Sequence, residues 1–339
     1  LILITTVILY PPALIPSQYK AISRTLDLPG ARVIAQRPSP YGLVELVSAP
    51  TLRYAPGLSL TYDREIPRLQ GAVFSNGDWF GPVGNAEPPL FRATAAFLPY
   101  ELGQRNRVLV LQAGTGLEVD RALESGATKV VAVEPHRRAL DILSAGKDSK
   151  GVDHFHAPSV QTVHLDPRTW LAMDQEQYDL NTLPIVGSFG GAAGLFALQE
   201  QYLLTAEGFR EMWDHLATDG ILHVSAWLDS PARNSLRLTA TIAEAMDQMG
   251  VDLSGHVAAV RGWDMITFIV QRSPFTPEDV ARITSFCRLL QFDPVLLPGL
   301  KQQELEQYHF ATDQNFATHL ETLLSASGRE ELYLSLIHI

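Results

Sequence analysis

Val108-Leu109-Val110-Leu111-Gln112-Ala113-Gly114-Thr115-Gly116-Leu117-Glu118-Val119 is the stretch on which the fold turns. A run of buried-strand residues breaks on two glycines and passes straight into a helical pattern. Further on, Lys129-Val130-Val131-Ala132-Val133-Glu134 supplies a second apolar strand that closes on a carboxylate. Strand, Gly turn, helix and acid-terminated strand make one half of a nucleotide-binding sheet. The glycines let a ligand approach the backbone, and free N–H groups at the helix start favour polar or anionic ligand atoms. Glu134 stands where an acceptor pair meets the two hydroxyls of a ribose. The pattern therefore predicts an adenosine-containing cofactor held by Gly114, Thr115, Gly116 and Glu134.

Outward from this unit, strands and helices alternate. Leu117 to Ser125 reads as the first helix, stopped by Gly126, and Pro135 sits at a suitable first position for the second. Strands are predicted at Val160 to Leu165, Tyr178 to Val186 and Ile221 to Trp227. Helices are predicted at Pro167 to Met173, Glu200 to Leu216 and Ser235 to Met249, with a closing antiparallel pair at His256 to Val260 and Met265 to Val270. The alternation implies an α/β fold with a largely parallel, doubly wound sheet. Upstream, short strands at Ala31 to Gln36, Gly42 to Val47, Leu58 to Tyr62 and Gly71 to Ser75 form a small antiparallel module, with Asn76-Gly77-Asp78 as a tight turn. A linking helix runs from Pro88 to about Tyr100. The resulting division is 1–30 as a membrane-proximal stump or linker, 31–87 as the β module, 88–275 as the Rossmann-like domain and 276–333 as a helical extension.

Bulk properties narrow the function. Lys plus Arg total 26 against 37 Asp plus Glu, and the net charge of −11 with no basic stripe argues against a nucleic-acid partner. One cysteine, Cys287, excludes disulfide frameworks and thiolate zinc sites, and fits a reducing compartment. The ten histidines show no ligand spacing, His154 and His156 included, so no metal is expected.

Both ends are unusual. Leu1 to Tyr10 is almost wholly apolar, too short to span a bilayer, which takes about 20 residues, and without the basic flank of a signal peptide. It reads either as the stump of a transmembrane helix or as a buried strand or disordered end. Leu334-Ser335-Leu336-Ile337-His338-Ile339 is what a transposase-adapter sequence encodes in frame, and is read as a translated adapter without structural meaning.

The Gly114-x-Gly116 turn alone is a weak signal. A dinucleotide site would place a third glycine at Val119, whose bulk disfavours a pyrophosphate. That residue, and the lack of a catalytic Lys, His or Tyr–Lys arrangement, put an NAD-dependent dehydrogenase low. With Glu134, and with Asp166 as acceptor for an adenine amino group, the pattern fits a compact ligand such as S-adenosylmethionine. Asp166 before Pro167 reads equally as a helix N-cap.

With these motifs, the chain resembles the spermidine synthase-like family, which has the S-adenosylmethionine-dependent methyltransferase fold. The likeness covers roughly 31–275, through Leu98-Pro99-Tyr100, Val133-Glu134, Leu165-Asp166, Tyr178-Asp179-Leu180 and Gly220-Ile221-Leu222. Leu198-x-Glu200-x-Tyr202-x-x-Thr205-x-Glu207-x-Phe209, and Trp227-Leu228 with Ser235-Leu236-Arg237, are similar to a bacterial branch joined to an N-terminal multi-span membrane region. The resemblance implies a cytoplasmic domain of a membrane-attached protein. It also implies S-adenosylmethionine or decarboxylated S-adenosylmethionine as cofactor, and methyl or aminopropyl transfer to a small acceptor, an amine among the candidates. A homodimer is left open.

Departures from the family pattern bear on catalysis. Aminopropyl transfer needs one carboxylate for the donor's amine and another for the proton of the attacking polyamine. Active members carry acids where this chain has Thr115 and Gly187, and glutamines where it has Phe80 and Gly42. Nearby groups are candidates to substitute: Asp78 beside the expected cleft, Ser188 in the Gly-rich loop, and Tyr202 toward the acceptor. Ser188 reads also as a turn residue, Tyr202 as ordinary packing, and Glu118 as a surface residue compensating the helix dipole rather than a ligand. A non-catalytic nucleoside-binding module attached to a membrane domain is the alternative.

Overall fold

Pro38 lacks an N–H to give to a sheet, and the strand that carries it lies at an edge. The structure is a computed structural model describing residues 16–84, 87–143, 153–186, 202–229, 232–301, 304–305, 307–309 and 315–336. The described residues form two compact units: 16–53, 68–84 and 138–143 make the smaller, and 54–67, 87–137 and those from 153 onward the larger.

The smaller unit holds helix α1 (Ala21–Leu26) and an antiparallel sheet in sequence order: β1 (Arg32–Ser39), β2 (Gly42–Ser48), β3 (Gly71–Ser75) and β4 (Asp78–Val83). β1 is mostly exposed, an edge position that tolerates Pro38. Val47, Ala72 and Phe74 of the inner strands pack with Ile22 of α1 in one apolar cluster. Asn76 and Gly77 both take positive φ, 53° and 80°, the primed two-residue turn that matches strand twist. The turn is the one the sequence predicts. The strand after it, with Gly81 and Pro82 inside, is not.

The larger unit is built on an eight-stranded sheet of order β12-β10-β11-β9-β8-β5-β6-β7. Its entry is the broken helix α2 (Pro88–Arg92), a 3-10 turn and α3 (Leu98–Glu101), where the sequence predicts one continuous helix. Next come β5 (Arg107–Leu111), α4 (Leu117–Glu124) and β6 (Lys129–Val133); the helix that follows, α5 (Arg137–Leu143), belongs from Arg138 onward to the smaller unit. β7 (Val160–Val163), α6 (Pro167–Met173), β8 (Tyr178–Val186), α7 (Ala206–Asp214) and β9 (Leu216–Trp227) complete the parallel part. α8 (Asn234–Gln248) leads to the antiparallel strands β10 (Val257–Arg261) and β11 (Met265–Gln271). α9 (Pro277–Leu290), β12 (Asp293–Leu296), α10 (Phe316–Leu323) and α11 (Ala326–Leu336) follow. Val108–Leu111 and Val130–Val133 are buried throughout, as parallel strands covered on both faces must be. The chain runs outward from β5 to β6 and β7, then returns to β8 on the other side of β5. The carboxyl end of β5 is therefore the topological switch point where ligands of such sheets bind.

Four further expectations are corrected. Leu58 to Tyr62 is not a strand and makes only an isolated bridge, Leu58 with Thr94. α5 begins at Arg137 rather than Pro135, because Glu134 captures the His136 N–H and bends the chain first. The helix predicted from Glu200, itself outside the described residues, appears as a 3-10 turn at Tyr202–Leu204 and then α7. Thr205 caps α7 by accepting the Gly208 N–H, and β9 begins already at Leu216. The region beyond residue 275 is not purely helical, since β12 pairs with β10. α11 continues to Leu336, so its backbone stays helical across Tyr333–Leu334. Among the described residues no helix is long and apolar enough to cross a membrane.

Candidate functional site at the end of β5

The ladder between β5 and β6 runs one rung past the strands, as Ala113 donates to the Val133 carbonyl at 3.0 Å. The chain then reverses through three left-handed residues: Gln112 (φ 55°), Gly114 (58°) and Gly116 (96°). Gln112 takes a conformation disfavoured for residues with a Cβ, a local strain of the kind found at ligand sites. Glu134, one strand over, faces this elbow. Its Oε2 accepts from Gly114 N and its Oε1 from His136 N, each at 2.8 Å. The residue is 3% exposed, and burial pushes its pKa up to about 7 against the pull of those two bonds. Burial likewise lowers the neighbouring His136.

His154, from a 3-10 turn far along the chain, closes the other side of the elbow. Its Nδ1 lies 2.8 Å from Asp120 Oδ1, and its Nε2 donates to the Thr115 carbonyl at 3.2 Å. A Cβ on Gly116 would come within 2.0 Å of His154 Nε2, so that glycine is required by the imidazole as well as by its φ. Nothing local in the sequence pairs His154 with the turn.

Asp166 caps α6, its Oδ1 accepting from Arg168 N at 3.0 Å and Thr169 N at 3.1 Å. Oδ2 takes no part in the cap. Tyr202 is 56% exposed, and its carbonyl accepts from Arg168 Nη1 at 2.9 Å. Arg168 in turn grips Glu211 through Nε and Nη2, both at 2.6 Å, tying α6 to α7. Ser188 and Gly187 lie outside the described residues.

Within the smaller unit, Asp78 is engaged by Lys20 at 2.5 Å. Gly42 cannot be enlarged, because a Cβ there would meet the Asn76 side chain at 1.9 Å. Asn76 holds that place by donating to the Tyr41 carbonyl and accepting from Leu43 N.

Glu118 corrects another expectation. It is 6% exposed, not a surface residue, and is hydrogen-bonded to Arg121 one turn on. A second polar feature escaped sequence reading altogether. Thr182 on β8, His223 and Ser225 on β9 and Thr267 on β11 join side chain to side chain across three strands. Each is buried, and each stands in an apolar-looking strand whose pattern gives no warning. No group of three or more His, Cys, Asp or Glu capable of holding a metal occurs among the described residues.

No family model matches the sequence, and no curated protein matches it. Solved structures do resemble it. A spermidine synthase in complex with the transition-state analogue AdoDATO shares 15% identity over 86% of this chain and 87% of that one, with a TM-score of 0.52. The spermidine synthase of Thermotoga maritima gives 15% and 0.53 over the same shares. A probable spermidine synthase from Corynebacterium glutamicum ATCC 13032 gives 14% and 0.51 over 82% of this chain and 96% of that one. At such identities the likeness establishes the fold: a parallel-rich methyltransferase-type sheet with a separate four-stranded antiparallel sheet, as the sequence predicts.

Proposed function

We propose that the elbow binds a sulfonium nucleoside, S-adenosylmethionine or its decarboxylated form, and that the domain transfers a methyl or aminopropyl group to a small acceptor. The observation that carries this reading is the orientation of Glu134 toward the elbow at the switch point of the sheet. Each of its oxygens accepts one backbone N–H, and each carboxylate oxygen offers a second acceptor site, enough for two ribose hydroxyls. Asp166 Oδ2 is the acceptor for the adenine amino group. The residues thus fit the nucleoside, with His154 bounding the Gly116 side. When bound, a sulfonium supplies a carbon open to nucleophilic displacement. The chain's own part is to orient the nucleoside and exclude water. Titration calorimetry with both nucleosides tests the reading: saturable binding of one is expected, and binding of neither overturns it.

A non-catalytic nucleoside-binding module is the second reading. Two observations favour it: Lys20 occupies Asp78, and Asn76 blocks any larger side chain at Gly42. Aminopropyl turnover of putrescine or spermidine would exclude it.

A further inference from the structure

Four polar contacts cross the elbow from end to end. Gly114 N donates to Glu134 Oε2 at 2.8 Å. The carbonyl of that same peptide group, Ala113, accepts from Gly116 N at 2.9 Å. Gly116 N shares its peptide group with the Thr115 carbonyl, which accepts from His154 Nε2 at 3.2 Å. His154 Nδ1 lies 2.8 Å from Asp120 Oδ1. The series therefore runs from Asp120 through the imidazole and two peptide groups to Glu134, and each of those peptide groups both donates and accepts.

Such a series is stronger than its links taken singly. Each bond polarises the group that makes the next, by roughly 10–30% per bond. The far end is also well held. Asp120 stands in the first turns of α4, its N–H bonded to the Gly116 carbonyl at 2.9 Å. The His154 side chain is 8% exposed, and its ring packs 4.6 Å from that of Phe155. The space its Nε2 occupies is the space a Cβ on Gly116 would need.

The near end is the acid that the nucleoside reading gives to the ribose. Burial raises Glu134, while the His136 and Gly114 amides pull it back down. On its own side stand His136, two positions on, and His164, whose Nδ1 meets the Glu134 carbonyl at 3.2 Å. Across the elbow stand His154 with Asp120, and the Glu118–Arg121 pair of α4. Gly114 N is the donor through which that far side reaches the carboxylate.

We propose that His154, oriented by Asp120, is a positioning residue for Glu134: by gripping the Thr115 carbonyl it strengthens the Gly114 donation that steadies the carboxylate at the mouth of the elbow. It touches no reacting atom. Its effect on nucleoside affinity rests on the nucleoside reading, and its effect on the ionisation of Glu134 does not.

The test follows the Glu134 carboxyl carbon by NMR against pH, in the full chain without nucleoside. The wild-type midpoint is expected at about 7. His154→Ala should move it upward by about 0.3–0.5 pH units, the share of one charge-assisted bond that mutual polarisation supplies. A weaker Gly114 donor favours the protonated acid, which fixes that sign. His154→Gln keeps an amide N–H for the Thr115 carbonyl without an ionisable ring, and should restore most of the displacement. His154→Leu takes the place of His154→Ala if the smaller side chain does not fold. By calorimetry at pH 7, S-adenosylmethionine should bind His154→Ala about twofold more weakly, following the smaller ionised fraction, and His154→Gln nearly as it binds wild type. An unmoved midpoint in the folded alanine or leucine variant, or a glutamine variant displaced as far, overturns the proposal. Midpoints that move as stated while S-adenosylmethionine binds none of these proteins uphold the positioning role and count against the nucleoside reading instead.

Discussion

The Gly114 amide donates to Glu134 Oε2 at 2.8 Å, so the acid that closes β6 holds the turn that closes β5. Oε1 is held from its own strand end by His136 N. This double anchorage fixes the carboxylate at the mouth of the elbow and keeps it buried, which raises its pKa to about 7.

Nucleoside affinity should follow that ionisation. A carboxylate accepts from ribose hydroxyls better than the protonated acid, so binding tightens as pH rises through about 7 and levels off toward pH 8 and beyond. Glu134→Gln should flatten the profile and cost about 1.5–3 kcal/mol at pH 8, the usual range for a hydrogen bond to a charged group. Calorimetric titration across pH reads both, and a flat wild-type profile contradicts the assignment.

Two buried groups should tilt stability in opposite directions. Glu134, raised in the fold, contributes stability that is present below its unfolded value near 4.5 and lost as pH rises through about 7. His223, lowered to about 3, contributes stability that is present above its unfolded value near 6.5 and lost as pH falls toward 3. Each slope approaches about 1.4 kcal/mol per pH unit for one proton. Denaturant midpoints at pH 4.5 and 7 should shift toward better acid tolerance in His223→Gln and toward poorer acid tolerance in Glu134→Gln.

Gly116→Ala should destabilise on two counts. Its φ of 96° disfavours a Cβ by about 1–2 kcal/mol. The Cβ would also strike His154, an overpacking of about 1–3 kcal/mol. Adding His154→Ala relieves only the second, so the double variant should be less destabilised than the sum of the singles. Additive losses in denaturant unfolding would show that the imidazole does not seat there.

Asp166→Ser separates the two roles of that acid. Serine caps helices nearly as well as aspartate, so stability should hold within about 0.5 kcal/mol. Nucleoside affinity should nevertheless fall several-fold, because serine has no second carboxylate oxygen. Equal affinity in variant and wild type would reduce Asp166 to a cap.

Cys287 is buried in α9 and its thiol is pushed up to about 12, chiefly by burial. A disulfide reagent at pH 8 should label it slowly in the native protein and fully in denaturant. Prompt native labelling would contradict its placement.

The centre of the fold was legible because it is local. Val108–Leu111, the glycines and Val130–Glu134 follow one another within 27 residues, and each carries its own signal: a double-faced apolar run, a left-handed turn, an acid at a strand end. Asn76-Gly77 announced its hairpin in the same way. Boundaries failed where a distant group intervened, as when Glu134 took the His136 amide and delayed α5 to Arg137.

By itself, then, the sequence determined the parallel sheet, the elbow after Leu111 and the acid beside it, since backbone preference and side-chain periodicity act over a few residues. Tertiary structure alone decided that His154 lies against Gly116, that Lys20 engages Asp78, and that Thr182, His223, Ser225 and Thr267 join into one line. Those partners are far apart along the chain or on separate strands. Only the packing of one element against another brings their atoms within hydrogen-bonding reach.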